Sequence, residues 1–312
     1  MSFSSEVKEE LSRQVTKARH CQIAEIAAII YFTGKIVRTE DTELIQIYTE
    51  NVSLARKYFT LIKKAYNVNA EISIKRNVYL KKSRMYTLTV AGPDITKRIL
   101  ESMKIVKPFI QAPELDMVSR MLIQNSCCRR AFIRGAFLSA GSMSDPEKSY
   151  HFEVVSAKEN LAVQLMEIMN TFEVGAKVIE RKSHYVVYVK EGSQIVDLLN
   201  VMEAHNALMD LENVRILKEV RNSVNRQVNC ETANISKTVN AAIKQMEDIN
   251  LIKEKIGFDE LSPRLREIAE MRLLYPELPL KELGARLTYP VGKSGVNHRL
   301  RKLSCMAEEL RE

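Results

Sequence analysis

Tryptophan is absent from this chain of 312 residues, so large aromatic anchors are few. No run of apolar residues nears the roughly 20 needed to cross a bilayer, which excludes a helical membrane span, and no membrane partner is expected. The opening stretch, MSFSSEVKEELSRQ, is charged and amphipathic without an apolar core, and is not expected to act as a secretory signal. Cysteine is scarce. Cys21, Cys127, Cys128, Cys230 and Cys305 are odd in number and lack framework spacing, which argues for reduced thiols in a cytoplasm. Cys127 and Cys128 are adjacent and have no CxxC partner, which argues against a zinc site. The five histidines are scattered, with no HExxH pair, and there is neither a P-loop nor a GxGxxG turn. No catalytic residue, metal ligand or cofactor is assigned.

What is present is basic. The net charge is +8 and the pI about 9.1, a balance suited to a polyanionic partner. The densest signal lies at the C-terminal end, in PLKELGARLTYPVGKSGVNHRLRKL (279–303). Leu280, Leu283 and Leu287 share one helical face, Tyr289-Pro290-Val291-Gly292 breaks the helix, and Val296, Leu300 and Leu303 form the apolar face of a second helix. That second helix also carries Asn297, His298, Arg299, Arg301 and Lys302, and residues 293–303 contain no carboxylate. Two short helices with a tight turn and a basic second member describe a helix-turn-helix entering the major groove of double-stranded DNA. Arg can pair with guanine O6 and N7, and Asn with adenine N6 and N7. Lys293 and Ser294 sit at the helix start, where free amides favour a phosphate. A solvated basic helix on a small helical domain would show the same pattern.

The first two hundred residues contain a repeat. CQIAEIAAIIYFTGK (21–35) and CRRAFIRGAFLSAGSM (128–143) are small-residue helices that end in Gly34 and Gly141. Each is followed by two strands, a helix, two further strands and a closing helix, so each half is expected to run α-β-β-α-β-β-α. Ser156 and Glu159 have capping-box spacing at the middle helix of the second half. The expected divisions are 1–110 and 111–203 for the two repeats, 204–257 for a helical linker, and 258–312 for the helix-turn-helix. The fold class is α+β, a duplicated domain followed by an all-α one.

A glycine-ended small-residue helix opening a duplicated αββαββα unit resembles the LAGLIDADG homing endonucleases. Joined to a C-terminal helix-turn-helix, it resembles the bacterial sporulation regulator WhiA family. The most specific segments are AFIRGAFLSAGSMSDP (131–146), RNSVNRQVNCETANISKT (221–238) and KSGVNHRLRKL (293–303). The nuclease resemblance implies an acid before each motif glycine to hold a divalent metal. Here those positions are Thr33 and Ala140, which supply no carboxylate. The expectation is therefore a non-enzymatic DNA-binding protein. The WhiA resemblance implies transcriptional regulation in cell division, chromosome segregation and sporulation, a cytoplasmic, nucleoid-associated location, and contacts with other transcription or cell-division proteins. Asp145, before Pro146, is expected to be a turn residue.

Two further groups are candidate DNA contacts. Lys75, Arg76, Lys81, Lys82 and Arg84 cluster in the hairpin of the first repeat, where a solvated tip is equally expected. Arg221, Asn225, Arg226 and Asn229 lie in an Asn- and Arg-rich helical run, for which an interdomain role is the other expectation. Arg129, Arg130 and Arg134 either pair with carboxylates or face a partner. The competing functions are a metal-dependent DNA endonuclease and a DNA-associated scaffold for division proteins.

Overall fold

The Ser2 hydroxyl accepts a hydrogen bond from the Ser5 amide and starts the first helix, α1 (Phe3–Arg13), in a computed structural model that describes residues 2–38, 43–76, 84–105 and 115–311. The first repeat follows as α2 (Arg19–Thr33), β1 (Gly34–Arg38), β2 (Glu43–Thr49), α3 (Val52–Tyr66), β3 (Glu71–Arg76), β4 (Arg84–Ala91) and α4 (Pro93–Ser102). The second is α5 (Ser126–Ala140), β5 (Gly141–Met143), β6 (Phe152–Ser156), α6 (Glu159–Asn170), β7 (Lys177–Arg181), β8 (His184–Val189) and α7 (Gly192–Met202). The αββαββα order expected from the sequence is present in both halves. Each half has one four-stranded antiparallel sheet, ordered β1-β2-β4-β3 and β5-β6-β8-β7.

Strand alternation assigns the sheet faces. In the first sheet Ile45, Ile47, Leu88 and Val90 are buried against the helices, whereas Lys35, Gln46, Thr87 and Thr89 occupy the other face. In the second, Phe152, Val154, Val187 and Val189 fill the buried face. α2 is buried nearly all round, from Ala24 to Ile30. That is why its apolar residues show no single stripe.

The motif helices α2 and α5 pack directly together. Cys21 lies beside Cys128 and Ala131, and Gly135 meets Glu25 and Ala28 so closely that an added Cβ would stand 2.7 Å from the Glu25 carbonyl oxygen. Aligning Gly34 with Gly141 gives an offset of 107 (141 − 34), under which Cys21 matches Cys128 and Ala28 matches Gly135. Equivalent positions thus meet along the helix pair.

The capping box expected at α6 is not formed. The Ser156 hydroxyl bonds instead to the amide and carbonyl of Lys158, the residue before the helix, and closes a local turn. Asp145 is a turn residue as expected, its carboxylate accepting the Glu147 amide at 3.0 Å.

α8 (His205–Lys255) begins in the first unit, residues 1–218, where Glu10 caps its start by accepting the Asn206 and Ala207 amides at 2.9 and 3.1 Å. The second unit, residues 219–312, holds the rest of α8 with α9 (Pro263–Leu274), α10 (Leu280–Ala285) and α11 (Lys293–Glu309). Its own core is built from Ile249, Ile252, Leu265, Ile268, Leu283, Val296, Leu300 and Leu303. Gly257, at φ +81°, lies just past the end of α8, and Ser262 and Pro263 are the N-cap and first residue of α9. Among the described residues no helix is long and apolar enough to cross a membrane.

Candidate nucleic-acid interface

α10, the turn 286–292 and α11 form the expected helix-turn-helix. Leu283, Leu287, Val296, Leu300 and Leu303 are buried, and Leu280 is half-buried at the edge of the same core. The turn folds back on α10: the Val291 amide donates to the Gly284 carbonyl at 3.1 Å. A Cβ on residue 284 would stand 2.2 Å from the Val291 carbonyl oxygen, so only glycine admits this closure. Glu267 on α9 fixes the other side of the turn by accepting the Thr288 amide at 2.5 Å. That bond, with Arg299 nearby, holds the Glu267 carboxyl below its ordinary range.

Lys293, Ser294, Asn297, His298, Arg301 and Lys302 all lie exposed on α11, while Arg299 is half-buried. The exposed face is thus polar and basic over three turns, with the first acid at Glu308. A groove beside it is lined by Lys237, Thr238 and Gln245 of α8, Arg272 of α9, and Lys293 and Asn297 of α11. The structure therefore brings the end of the Asn- and Arg-rich run to the start of α11. Lys237 is separated from Lys293 by 56 positions (293 − 237), beyond the reach of any local pattern. Arg221, Asn225, Arg226 and Asn229 are solvent-exposed on the continuous α8.

In the first repeat, Lys75 and Arg84 are exposed at the ends of the paired β3 and β4, and Arg76 pairs with Arg84 in register. Lys81 and Lys82 lie outside the described residues.

At the C-terminal ends of the motif helices, the Thr33 hydroxyl donates to the Ile29 carbonyl at 2.8 Å and Ala140 is half-buried. Charge is concentrated farther up the pair. Arg134 is 1% exposed and donates through Nε and Nη2 to the Glu25 carboxylate at 3.0 and 3.3 Å, and through Nη1 to Glu203 at 2.8 Å. Lys57, fully buried, lies 2.9 Å from the same Glu25. Burial pulls the Lys57 ammonium below the ordinary lysine range, with Glu25 opposing. Arg134 thus pairs with carboxylates, whereas Arg129 and Arg130 lie over the Phe172 ring at 5.9 and 5.3 Å.

At the N-terminal ends of the same helices, His20, Cys21, Cys127 and Cys128 place one ligand atom each within 4.8 Å of one another. Sequence spacing argues against zinc only among neighbours in the chain, and misses a cluster whose halves come from two helices. Burial, then the neighbouring thiols, push Cys21 up to about 12, and burial raises Cys128 as well.

Comparison with known proteins accounts for almost the whole chain. Residues 19–106 match the family described as WhiA N-terminal LAGLIDADG-like domain, 129–221 the WhiA LAGLIDADG-like domain, and 224–307 the WhiA C-terminal HTH domain. A relative in Lachnoclostridium phytofermentans, named "Probable cell division protein WhiA", is 55% identical over 313 residues and all of both chains. Another of that name in Alkaliphilus oremlandii is 50% identical over 315 residues, covering all of this chain and 98% of its own. The crystal structure of full-length WhiA from Thermatoga maritima is similar at a TM-score of 0.61 and 27% identity, covering 99% of each chain.

Proposed function

The chain belongs to the WhiA family, and on that premise we propose that it reads specific sequences in double-stranded DNA as a transcriptional regulator of cell division, without nuclease activity. The observation that carries this is the α11 surface: six exposed polar or basic side chains from Lys293 to Lys302 over a buried Val296-Leu300-Leu303 seam. Asn297 and Arg301 are the base readers, four residues apart on one face. Lys293 and Ser294, at the amide-rich start of the helix, take a phosphate. Lys237, from the neighbouring groove wall, adds a second backbone contact.

The motif helices support a binding role for the first unit over cutting. Thr33 spends its hydroxyl on its own helix and Ala140 has no polar group, so neither can hold a hard cation or activate water. In this reading the chain acts at the chromosome in division, segregation and sporulation together with other transcription or division proteins.

Selection of bound sequences from a random duplex pool by the full-length protein, followed by a salt series on the best site, tests this. A defined motif is expected, with affinity falling steeply as salt rises. Arg301→Ala and Asn297→Ala should each relax base preference by about 1–3 kcal/mol, whereas Lys293→Ala should weaken all sequences alike. Enrichment of no motif would leave a scaffold as the better account. Magnesium-dependent cleavage that is lost on Thr33 or Ala140 substitution would establish the endonuclease instead.

A further inference from the structure

The cluster at the N-terminal ends of α2 and α5 is not among the residues assigned above to DNA reading. His20 Nδ1 lies 3.2 Å from Cys128 Sγ, 3.4 Å from Cys21 Sγ and 4.0 Å from Cys127 Sγ. One imidazole nitrogen thus faces three sulfurs at once, more than any hydrogen-bond arrangement of that nitrogen can satisfy. A tetrahedral zinc with Zn–S of about 2.3 Å and Zn–N of about 2.05 Å has N···S edges of about 3.5 Å. The three observed separations bracket that edge, and all four ligand atoms fit within 4.8 Å.

We propose that His20, Cys21, Cys127 and Cys128 bind one Zn²⁺ ion in a closed four-coordinate site that clamps the two repeats together. Under the 107-residue offset His20 matches Cys127 and Cys21 matches Cys128, so each repeat supplies one pair from the same two helix positions. Cys21 and Cys128 are 4% exposed and form the floor, while His20 and Cys127 are exposed at the rim and leave an entry path. Binding displaces the three thiol protons to solvent, leaves the oxidation states unchanged and gives a complex of charge −1. Two helix N-termini whose first turns contain no acid face that charge. Three thiolates and one imidazole in tetrahedral array select zinc over harder cations. Four protein ligands leave no open position, so the ion is structural and not a cutting metal.

The test uses the full-length chain purified under a phosphine reductant, with Zn²⁺ measured by elemental analysis and Co²⁺ added to the stripped protein. One equivalent of Zn²⁺ is expected, together with the visible bands of tetrahedral thiolate-bound Co²⁺ and a higher melting temperature with Zn²⁺ than without. The rim variants Cys127→Ser and His20→Ala, which leave the buried floor in place, should weaken Zn²⁺ at least about tenfold. Cys230→Ser and Cys305→Ser should bind like the parent. Far less than one equivalent in reduced protein with no Co²⁺ spectrum would overturn the proposal. So would a Cys21–Cys128 disulfide, seen as the loss of two hydrogens by mass, or equal Zn²⁺ binding by the rim variants.

Discussion

Glu25 is the anion on which two buried cations depend, and its neutralisation tests how far the repeat interface relies on charge. Arg134 and Lys57 both approach it within 3.0 Å, in a site closed to solvent. Glu25→Gln leaves two cations in the interior with only Glu203, half exposed, to offset them, and should lower unfolding free energy by about 3–5 kcal/mol. Denaturant titration monitored by circular dichroism would register this, and an unchanged midpoint would mean that the charges are hydrated. Lys8 allows a pH experiment. Burial brings its ammonium from 10.5 down to about 8, beside the Phe137 ring. Between those values the unfolded chain still holds a proton that the native state has released, so stability rises with pH across the window. Lys8→Met should flatten the rise in melting temperature from pH 8 to 10.5 relative to the parent. At the turn of the reading domain, Gly284→Ala has no room beside Val291 and should weaken folding of the second unit by about 1–3 kcal/mol.

The helix pair α2–α5 decides the geometry of everything attached to it, and its close approach rests on small residues. Gly135→Ala pushes a methyl into the Glu25 carbonyl and the Ala28 methyl, and is expected to cost about 1–3 kcal/mol, measurable as a lower denaturation midpoint at constant m-value. These elements were legible in the sequence because their signals are local. Apolar periodicity marks α3 through Leu54, Tyr58, Leu61 and Ile62, alternation marks β3 through Ile72 and Ile74 and β4 through Tyr86, Leu88 and Val90, and Gly257 with Ser262-Pro263 marks the helix boundary. The α11 seam of Val296, Leu300 and Leu303 was equally plain. Contacts between elements were not legible. Glu25 and Arg134 stand 109 positions apart (134 − 25), and no pattern in either helix announces the other. The cysteine cluster escaped for the same reason, since each helix contributes only two of its ligand atoms. Ser156 misled in the opposite way: its spacing to Glu159 suits a capping box, yet the hydroxyl finds the nearer Lys158 backbone.

Among the described residues each unit has its own main apolar core, one in residues 1–218 and one in residues 219–312, with a small cluster of Cys21, Ala24, Cys128 and Ala131 besides in the first. Calorimetry of the intact protein should therefore resolve two heat absorptions. Leu300→Ala, which empties part of the smaller core, should lower one of them by an amount equivalent to about 2–5 kcal/mol and leave the other in place. A single transition moved as a whole would show that the cores melt together. The ion network carries a further consequence for the larger unit. By the 107-residue offset Glu25 corresponds to Phe132, and Arg134 to Ala27. Two copies of the first half set against each other would bring two acids to the seam with no guanidinium between them, and two copies of the second would bring two guanidiniums with no acid from α2. Lys57 would still pair with Glu25 in the first case and Glu203 with Arg134 in the second, but the buried Glu25–Arg134 bond that joins the halves would be lost in both. Separated by cutting the gene between them, the halves should recombine only as a one-to-one pair, which makes the duplication irreversible.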